Sequence, residues 1–202
     1  MSKIREPIKK SSIEKKNRII EKGFELMCDK GYYNVNCIDI AKYAGVSTGI
    51  IYQYFENKKA IFLAGVRNYS DEIILPIIDI LNLKDIKTNL KEIVEKIIDN
   101  FINSHKISKR AHEQLMAMSH MDDTVSNIFN NREIELTKKI VKLLEENQFN
   151  SDNLEEKVHI CIGIIDNFCH EVVYHKHELL DYNNMKKEII KTIEYLLTGG
   201  KD

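Results

Sequence analysis

The chain has 202 residues, of which 43% are hydrophobic, and this is enough apolar material for a core in one or two domains. Two prolines, eight glycines and no tryptophan, with many Ile, Leu, Lys and Glu, favour an all-helical protein. No apolar run approaches the roughly 18 residues that span a bilayer, and the charged N-terminus lacks the apolar core of a signal peptide. Four cysteines without CxxC spacing indicate reduced thiols rather than a disulfide scaffold, so we expect a cytoplasmic protein.

The net charge of −1 hides an uneven distribution along the chain. Residues 1–60 carry 12 Lys and Arg against 7 Asp and Glu, whereas residues 61–202 carry 18 against 24. A basic head on an acidic body is typical of a module that binds a polyanion, attached to a domain that does not. Chance drift of surface charge is the alternative explanation.

A helical head is predicted after a disordered basic arm at 1–10. A serine of the pair Ser11–Ser12 is expected to cap the first helix, which ends at Gly31. The second helix is predicted to start with an approximate capping box, because Asn36 is a good cap and Asp39 lies three residues further on.

A turn and a very short helix follow the second helix. Gly45 can adopt the positive φ that a sharp helix end requires, and Ser47 is suited to cap the next helix. Ile51 and Phe55 lie four residues apart and are predicted to point into a small core. Two helices joined by a short turn that contains glycine form the arrangement that places a second helix in the major groove of DNA.

The rest of the chain is predicted to be a bundle of long helices. The predicted fold class is therefore all-α with about nine helices, in which a three-helix helix-turn-helix domain at 11–57 precedes a helical-bundle domain at 58–202. Pro76 lies inside the first long helix and removes one backbone donor, so we expect a kink or a break near Ile74–Leu75.

The helix predicted at 152–177 is apolar around its whole circumference over Ile160–Ile165, so it must be covered on every side. One side can face its own domain, and the other can pair with its copy and with the final helix across a two-fold axis. The candidate dimer interface comprises Ile160, Ile164, Phe168, Ile189, Ile193 and Leu196. The alternative is a buried central helix of a monomer.

The same helix carries polar residues that suggest either a metal or a ligand. His170 and Glu171, with His175 and His177, do not have the HExxH spacing of zinc peptidases. A polar stripe on an apolar helix instead favours ligand contacts, since buried polar groups need partners. The sequence shows no Gly-rich phosphate loop, nucleophile elbow or pair of Cys ligands, so we expect no catalytic residue, metal or cofactor.

Many positions between about Arg18 and Val66 form a specific pattern at fixed spacing. Its pieces are Ile19-Ile20, Gly23-Phe24, Leu26-Met27, Gly31-Tyr32, Asp39-Ile40-Ala41, Ala44 to Gly49, Tyr52 to Phe55 and Lys58 to Ile61. This pattern resembles the DNA-binding region of TetR-family transcriptional regulators. Val35-Asn36 departs from the hydroxyl pair of the family, and Gly23 replaces its usual Ala at a cost of up to about 1 kcal/mol unless close packing requires it.

The resemblance implies a DNA-binding surface around the short helix, which Ser47 starts. It assigns base readout to Thr48, Gly49, Ile50 and Gln53, and phosphate contacts to Asn36, Tyr52, Tyr54 and Lys58. The alternative for the two tyrosines is that they are ordinary core or surface aromatics.

The resemblance also implies a homodimeric repressor that binds a palindromic DNA operator and is released by a small-molecule effector. The candidate effector pocket in the second domain comprises Phe101, His105, Met116, Phe129, Asn167, His170, Glu171 and Tyr174. The methionine could equally be core filler. The alternative function is a helical dimer whose helix-turn-helix head serves protein–protein interaction.

Overall fold

The computed structural model of the chain describes residues 6–82, 86–105, 109–149 and 151–199. These residues form nine α-helices and one 3-10 turn, and no strand occurs among them, which confirms the all-α prediction. The helices are α1 (Lys10–Lys30), α2 (Cys37–Ala44), α3 (Thr48–Tyr54), α4 (Lys58–Leu81), α5 (Leu90–Ser104), α6 (Lys109–Met121), α7 (Asp123–Glu146), α8 (Leu154–Tyr174) and α9 (Tyr182–Thr198), and the 3-10 turn is Tyr32–Asn34. None of these helices is long and apolar enough to cross a membrane.

The chain divides into two compact units that do not coincide with the predicted domains. The first unit comprises the described residues of 6–70 and 109–129, and the second comprises those of 71–105 and 130–199. The division falls after Ser70 rather than after residue 57, because α6 and the start of α4 pack with the N-terminal helices. Phe62 of α4, for example, contacts the rings of Phe24 and Tyr32, with centroids 5.6 and 5.2 Å away.

The helix starts in the first unit follow the predicted chemistry only in part. The capping box is present, since the Ile38 and Asp39 amides donate to Asn36 Oδ1 at 2.8 and 3.0 Å and the Asn36 amide donates to Asp39 Oδ2 at 3.0 Å. The prediction of a serine cap for α1 is wrong, because the helix already begins at Lys10 and no side chain caps it. The predicted basic arm lies outside the described residues up to position 5.

The turn between α2 and α3 has the predicted backbone. Gly45 adopts left-handed φ and ψ of 65° and 41°, and its N–H faces the last carbonyls of α2. Ser47 occupies the cap position of α3, but its side chain makes no capping hydrogen bond. The helix is instead held from within, because Ile51 and Phe55 are buried in the core of the first unit.

The second unit is built around an aliphatic core from α4, α5, α7, α8 and α9. Its α4 segment is not broken at Pro76, because the helix runs without interruption to Leu81. Ile160 on α8 remains 50% exposed in the single chain, so the coverage predicted for that side of the helix would require a second partner. Phe168 and Ile193, predicted at a dimer interface, are instead buried in the core of the unit.

Candidate functional site

The α2–turn–α3 segment presents a surface with a clear inner and outer side. Ile51 is fully buried, whereas Ser47, Gly49 and Tyr52 are exposed and Thr48, Ile50 and Gln53 are half-buried. The outer side therefore contains every residue to which base readout was assigned. Nothing crowds Gly49, whose nearest neighbour for an added Cβ would be Ser47 Oγ at 3.9 Å, so a ligand backbone could approach closely there.

Tyr54 does not belong to this outer side. Its side chain is only 6% exposed, because it lies on the same buried face of α3 as Ile51. The prediction of a phosphate contact for Tyr54 is therefore not supported, and the alternative of a core aromatic fits.

Lys58 is likewise used inside the protein. Its Nζ donates to the carbonyl oxygens of Tyr32 and Val35, both at 2.8 Å, and lies 4.5 Å from the centre of the Tyr32 ring. These contacts tie the start of α4 to the segment before α2, so the ammonium is not the free phosphate contact that was predicted. They also give Val35 a role although it lacks the hydroxyl of the family pattern, because its side chain is buried and its carbonyl accepts from Lys58.

Tyr52 remains on the outer side, next to α2. Its side chain is 49% exposed, and a hydrogen bond with the Cys37 thiol raises the pKa of the Tyr52 hydroxyl above its usual value. The tyrosine is therefore uncharged near neutral pH and can donate a hydrogen bond to a phosphate oxygen.

Two exposed residues of α2 were missed by the sequence reasoning. Ile38 and Lys42 lie four residues apart on the face opposite the buried Ile40, Ala41 and Ala44. Lys42 makes no ion pair with any residue that the structure describes, whereas Lys59 pairs with Asp122 at 2.6 Å. The signal was available, because the buried positions of a short amphipathic helix also define its exposed face.

The second unit contains an apolar cavity of about 70 Å³. Its lining consists of aliphatic side chains with one phenylalanine and one cysteine, and all but Ile140 and Ile162 are buried. The lining residues are Ile77, Leu81, Leu90, Ile93, Val94, Ile97, Phe101, Leu136, Ile140, Leu144, Val158, Cys161, Ile162, Ile165, Ile193 and Leu197.

Comparison with known proteins gives a sequence match for part of the first unit. Residues 19–64 match the sequence family described as bacterial regulatory proteins, tetR family. The HTH-type transcriptional regulator HbdR of Aromatoleum sp. (strain CIB) is 40% identical over 58 residues, which cover 29% of this chain and 25% of that protein. The matched segment thus spans only about a quarter of this curated relative.

Solved structures extend the likeness to nearly the whole chain. A TetR-family transcriptional regulator from Mesorhizobium loti MAFF303099 superposes with a TM-score of 0.73 at 14% identity, over 95% of this chain and 98% of that one. A transcriptional regulator from Saccharomonospora viridis in complex with choline superposes with a TM-score of 0.67 at 19% identity, over 91% of this chain and 97% of that one.

The segment at residues 19–64 belongs to the TetR family of bacterial regulatory proteins, and the chain as a whole shares the fold of solved TetR-family regulators. The match to the TetR-family model covers residues 19–64, from α1 to the start of α4, and the low identity to the solved structures extends only the fold to the second unit.

The predicted effector residues are divided between the two units, but four of those in the second unit lie together, since the His105 ring lies 4.8, 4.7 and 5.9 Å from the rings of Phe101, His170 and Tyr174. Met116 and Phe129 belong to the first unit, whereas the others belong to the second. Of the predicted set, Phe101 alone lines the cavity, and Asn167 is exposed. No sequence signal would have found the remaining lining, because aliphatic residues around a cavity resemble those of any core.

His105 and His170 form a polar cluster beside Phe101. The 2.7 Å contact between His105 Nδ1 and the Phe101 carbonyl requires a proton on Nδ1, which leaves Nε2 to accept from His170 Nε2 at 3.1 Å. His170 Nδ1 in turn lies 3.1 Å from Asp166 Oδ2. Burial is the main cause that lowers the pKa of His105.

Glu171 joins a separate set of contacts at the end of α8. Its Oε1 accepts from the Tyr182 hydroxyl at 2.8 Å and lies 3.5 Å from His177 Nε2. Among the described residues, no group of three His, Cys, Asp or Glu side chains is arranged to hold a metal ion.

Proposed function

We propose that this chain is a sequence-specific repressor that binds a palindromic operator as a homodimer and is released by a small-molecule effector. The observation that carries the proposal is the outer side of α3. This surface offers a short helix, backed by buried Ile51 and Phe55, whose exposed residues are small or hydrogen-bonding.

Base readout is proposed for Thr48, Gly49, Ile50 and Gln53. A glutamine amide can pair with the N6 and N7 edge of adenine, and an isoleucine can lie against a thymine methyl in the major groove. The absence of a side chain at Gly49 lets the helix approach the bases. Ser47 lies at the edge of this surface. Its hydroxyl makes no capping hydrogen bond to α3, so it is available to contact the DNA backbone.

Phosphate contacts are proposed for Asn36, Tyr52 and Lys42. Asn36 uses its side-chain oxygen in the capping box, which leaves its amide N–H groups to donate outward. Lys42 replaces Lys58 in this role, because its ammonium is exposed and Lys58 is engaged internally. Contacts of this kind hold the helix in register on the duplex but do not read its sequence.

Homodimerisation is proposed through the outer face of α8 and the adjoining side of α9. Ile160 and Ile164 on α8, with Ile189 and Leu196 on α9, are at least partly exposed and contribute apolar surface to these helices. Two copies of the head would then lie on half-sites separated by whole turns of DNA, about 34–36 Å for one turn.

Release by a small molecule is proposed to act through the second unit. The cavity in its core offers a place for an effector, and the Saccharomonospora viridis regulator with a similar fold holds choline. Binding at that cavity can shift the operator-binding equilibrium only if the effector prefers one conformation of the dimer.

Replacement of Gln53 by Ala tests the proposed readout. We expect selection from a randomised duplex library to give a palindromic operator, and Gln53→Ala to lose about 1–3 kcal/mol of discrimination at one base pair of each half-site. Gln114→Ala, the same change on α6 of the first unit, should leave the preference intact. Equal preference in wild type and Gln53→Ala would show that α3 is not the reading helix.

The alternative of a protein-binding head makes a different prediction in the same assay. A DNA-binding head should show steeply salt-dependent affinity for one palindrome and none of that specificity on scrambled DNA. A head that binds protein would show only weak binding that does not distinguish the two duplexes.

A further inference from the structure

We propose that the cavity of the second unit binds an uncharged aliphatic chain, so that the effector is a molecule with a hydrocarbon segment. This inference rests on the proposed function, because it names the chemical class of the effector. It starts from the lining, which contains no Asp, Glu, Lys, Arg, Asn, Gln or hydroxyl side chain among the described residues.

The lining is neutral as well as apolar. Cys161 provides its one polarisable side-chain group, and burial raises the pKa of this thiol to about 11, so it carries no charge near neutral pH. Burying a charged or hydrogen-bonding ligand group against this lining would leave that group without a protein partner, which is costly. The cavity therefore selects ligand atoms that need no partner.

The shape of the cavity favours a chain over a ring. The lining extends along α5 from Leu90 to Phe101, which is about 16 Å at the rise of an α-helix, and along α7 from Leu136 to Leu144, about 12 Å. Its volume is nevertheless only about 70 Å³, roughly half that of an engineered cavity that accepts benzene. A cavity of this volume has no room for a compact ring unless its lining moves, whereas a flexible methylene chain can extend along the lining residues of both helices.

A cationic ligand such as choline does not fit this lining. A quaternary ammonium is bound by several aromatic faces or by a carboxylate, whereas Phe101 is the single aromatic residue among the described residues around this cavity. The similar fold of the choline-bound regulator therefore does not carry its ligand over to this chain.

A series of primary alcohols tests the proposal on the full-length protein without DNA. Hexan-1-ol, octan-1-ol and decan-1-ol are titrated by calorimetry below their solubility limits, with choline and benzene as comparisons. We expect affinity to rise about fifteenfold for each added pair of methylenes until the cavity is full, with a negative heat-capacity change. Tighter binding of choline or benzene than of decan-1-ol, or affinity independent of chain length, would overturn the proposal.

Cavity-filling variants locate the binding site. Val158 lines the cavity on α8, whereas Val172 on the same helix packs against the core without lining the cavity. We expect Val158→Phe to weaken decan-1-ol binding at least tenfold and Val172→Phe to leave it unchanged. Val158→Leu and Val172→Leu repeat the comparison with a smaller change that preserves folding, with an expected loss of about fourfold for the former. Equal effects at both positions would place the alcohol elsewhere and refute the proposal.

Operator binding is measured separately, so that this inference and the proposed function can fail independently. Alcohol binding that is lost in the Val158 variants supports the aliphatic binding site. If the operator complex does not dissociate, the site is not an effector site, and that part of the inference is wrong. Release of the operator by polar molecules, with no alcohol binding, overturns the inference and leaves the repressor function standing.

Discussion

Lys58 shows how a cation next to a DNA-binding helix can serve the fold. Its two hydrogen bonds to backbone carbonyls and its contact with the Tyr32 ring join the start of α4 to the segment between α1 and α2. Hydrogen bonds to a charged donor are stronger than those between neutral groups, and a partly buried carbonyl that loses its donor is costly.

Replacement of Lys58 by Met should therefore destabilise the protein. The variant keeps the apolar stem but loses both hydrogen bonds, so we expect the free energy of unfolding to fall by about 2 kcal/mol in urea denaturation. Lys59→Met is the matched control, because the Lys59–Asp122 pair is more exposed and should cost at most about 1 kcal/mol. A larger loss for Lys59→Met than for Lys58→Met would contradict this account.

His105 makes the stability of the second unit depend on pH. Burial lowers its pKa below the usual 6.5, and a second proton on Nε2 would replace the acceptor that faces His170. The unfolded chain then binds more protons than the folded chain as the pH falls below 6.5, so the free energy of unfolding decreases on acidification. The groups that face His105 are the His170 ring and, beyond it, the Asp166 carboxylate, which partly offsets the effect of burial on the pKa of His105.

The pH dependence can be tested with His105→Gln. We expect the wild-type Tm to fall from about pH 7 to about pH 5, and His105→Gln to lower the Tm at pH 7 but to flatten that slope. His120→Gln, at an exposed histidine, should retain the wild-type slope. An unchanged slope in His105→Gln would mean that other groups govern the acid sensitivity.

At the scale of elements, α1 and α4 pack so closely that Gly23 on α1 and Gly65 on α4 leave no room for a side chain. A Cβ added at Gly23 would lie 2.7 Å from Ile61 Cγ2, and one added at Gly65 would lie 2.4 Å from Phe24 Cβ. The glycine that departs from the family pattern in α1 thus allows contact between two helices of the first unit, which offsets its poor helix propensity.

Gly65→Ala should therefore be destabilising although alanine favours helices. We expect a loss of about 1–3 kcal/mol in the free energy of unfolding, because neither the Phe24 stem nor the helix backbone can move aside easily. Gly49→Ala is the control, since an added Cβ meets no close neighbour there, and it should raise stability by at most about 1 kcal/mol. If Gly65→Ala raised the free energy of unfolding, as Gly49→Ala is expected to do, the close packing of α1 against α4 would be refuted.

At the scale of the whole molecule, the proposed dimer depends on apolar surface that one chain leaves exposed. Ile160 is half exposed on α8 although the surrounding helix is apolar, and a second copy would cover it. The predicted interface is narrower than the sequence pattern suggested, because Phe168 and Ile193 already pack within their own unit.

Ile160→Glu tests whether α8 mediates association. Burying a carboxylate in an apolar interface is unfavourable, so we expect the dimer dissociation constant to rise at least about tenfold in analytical ultracentrifugation. Leu179→Glu replaces another exposed aliphatic residue, which lies between α8 and α9, and should leave association unchanged. A wild-type protein that sediments as a monomer would refute the dimer itself.

The sequence alone determined what depends on near neighbours along the chain. Hydrophobic periodicity predicted the helices, local chemistry predicted the capping box at Asn36 and the left-handed Gly45, and the pattern around α3 predicted the family. These features were predictable because each is set by residues within a few positions of one another.

The tertiary structure alone decided the contacts between distant segments. It turned Lys58 and Tyr54 from surface candidates into internal contacts and showed that Gly23 allows close packing of α1 on α4. It also revealed an apolar cavity that shares only Phe101 with the predicted effector pocket. Periodicity shows which face of a helix is apolar, but the identity of its neighbour depends on how the helices pack, and aliphatic residues pack with many partners.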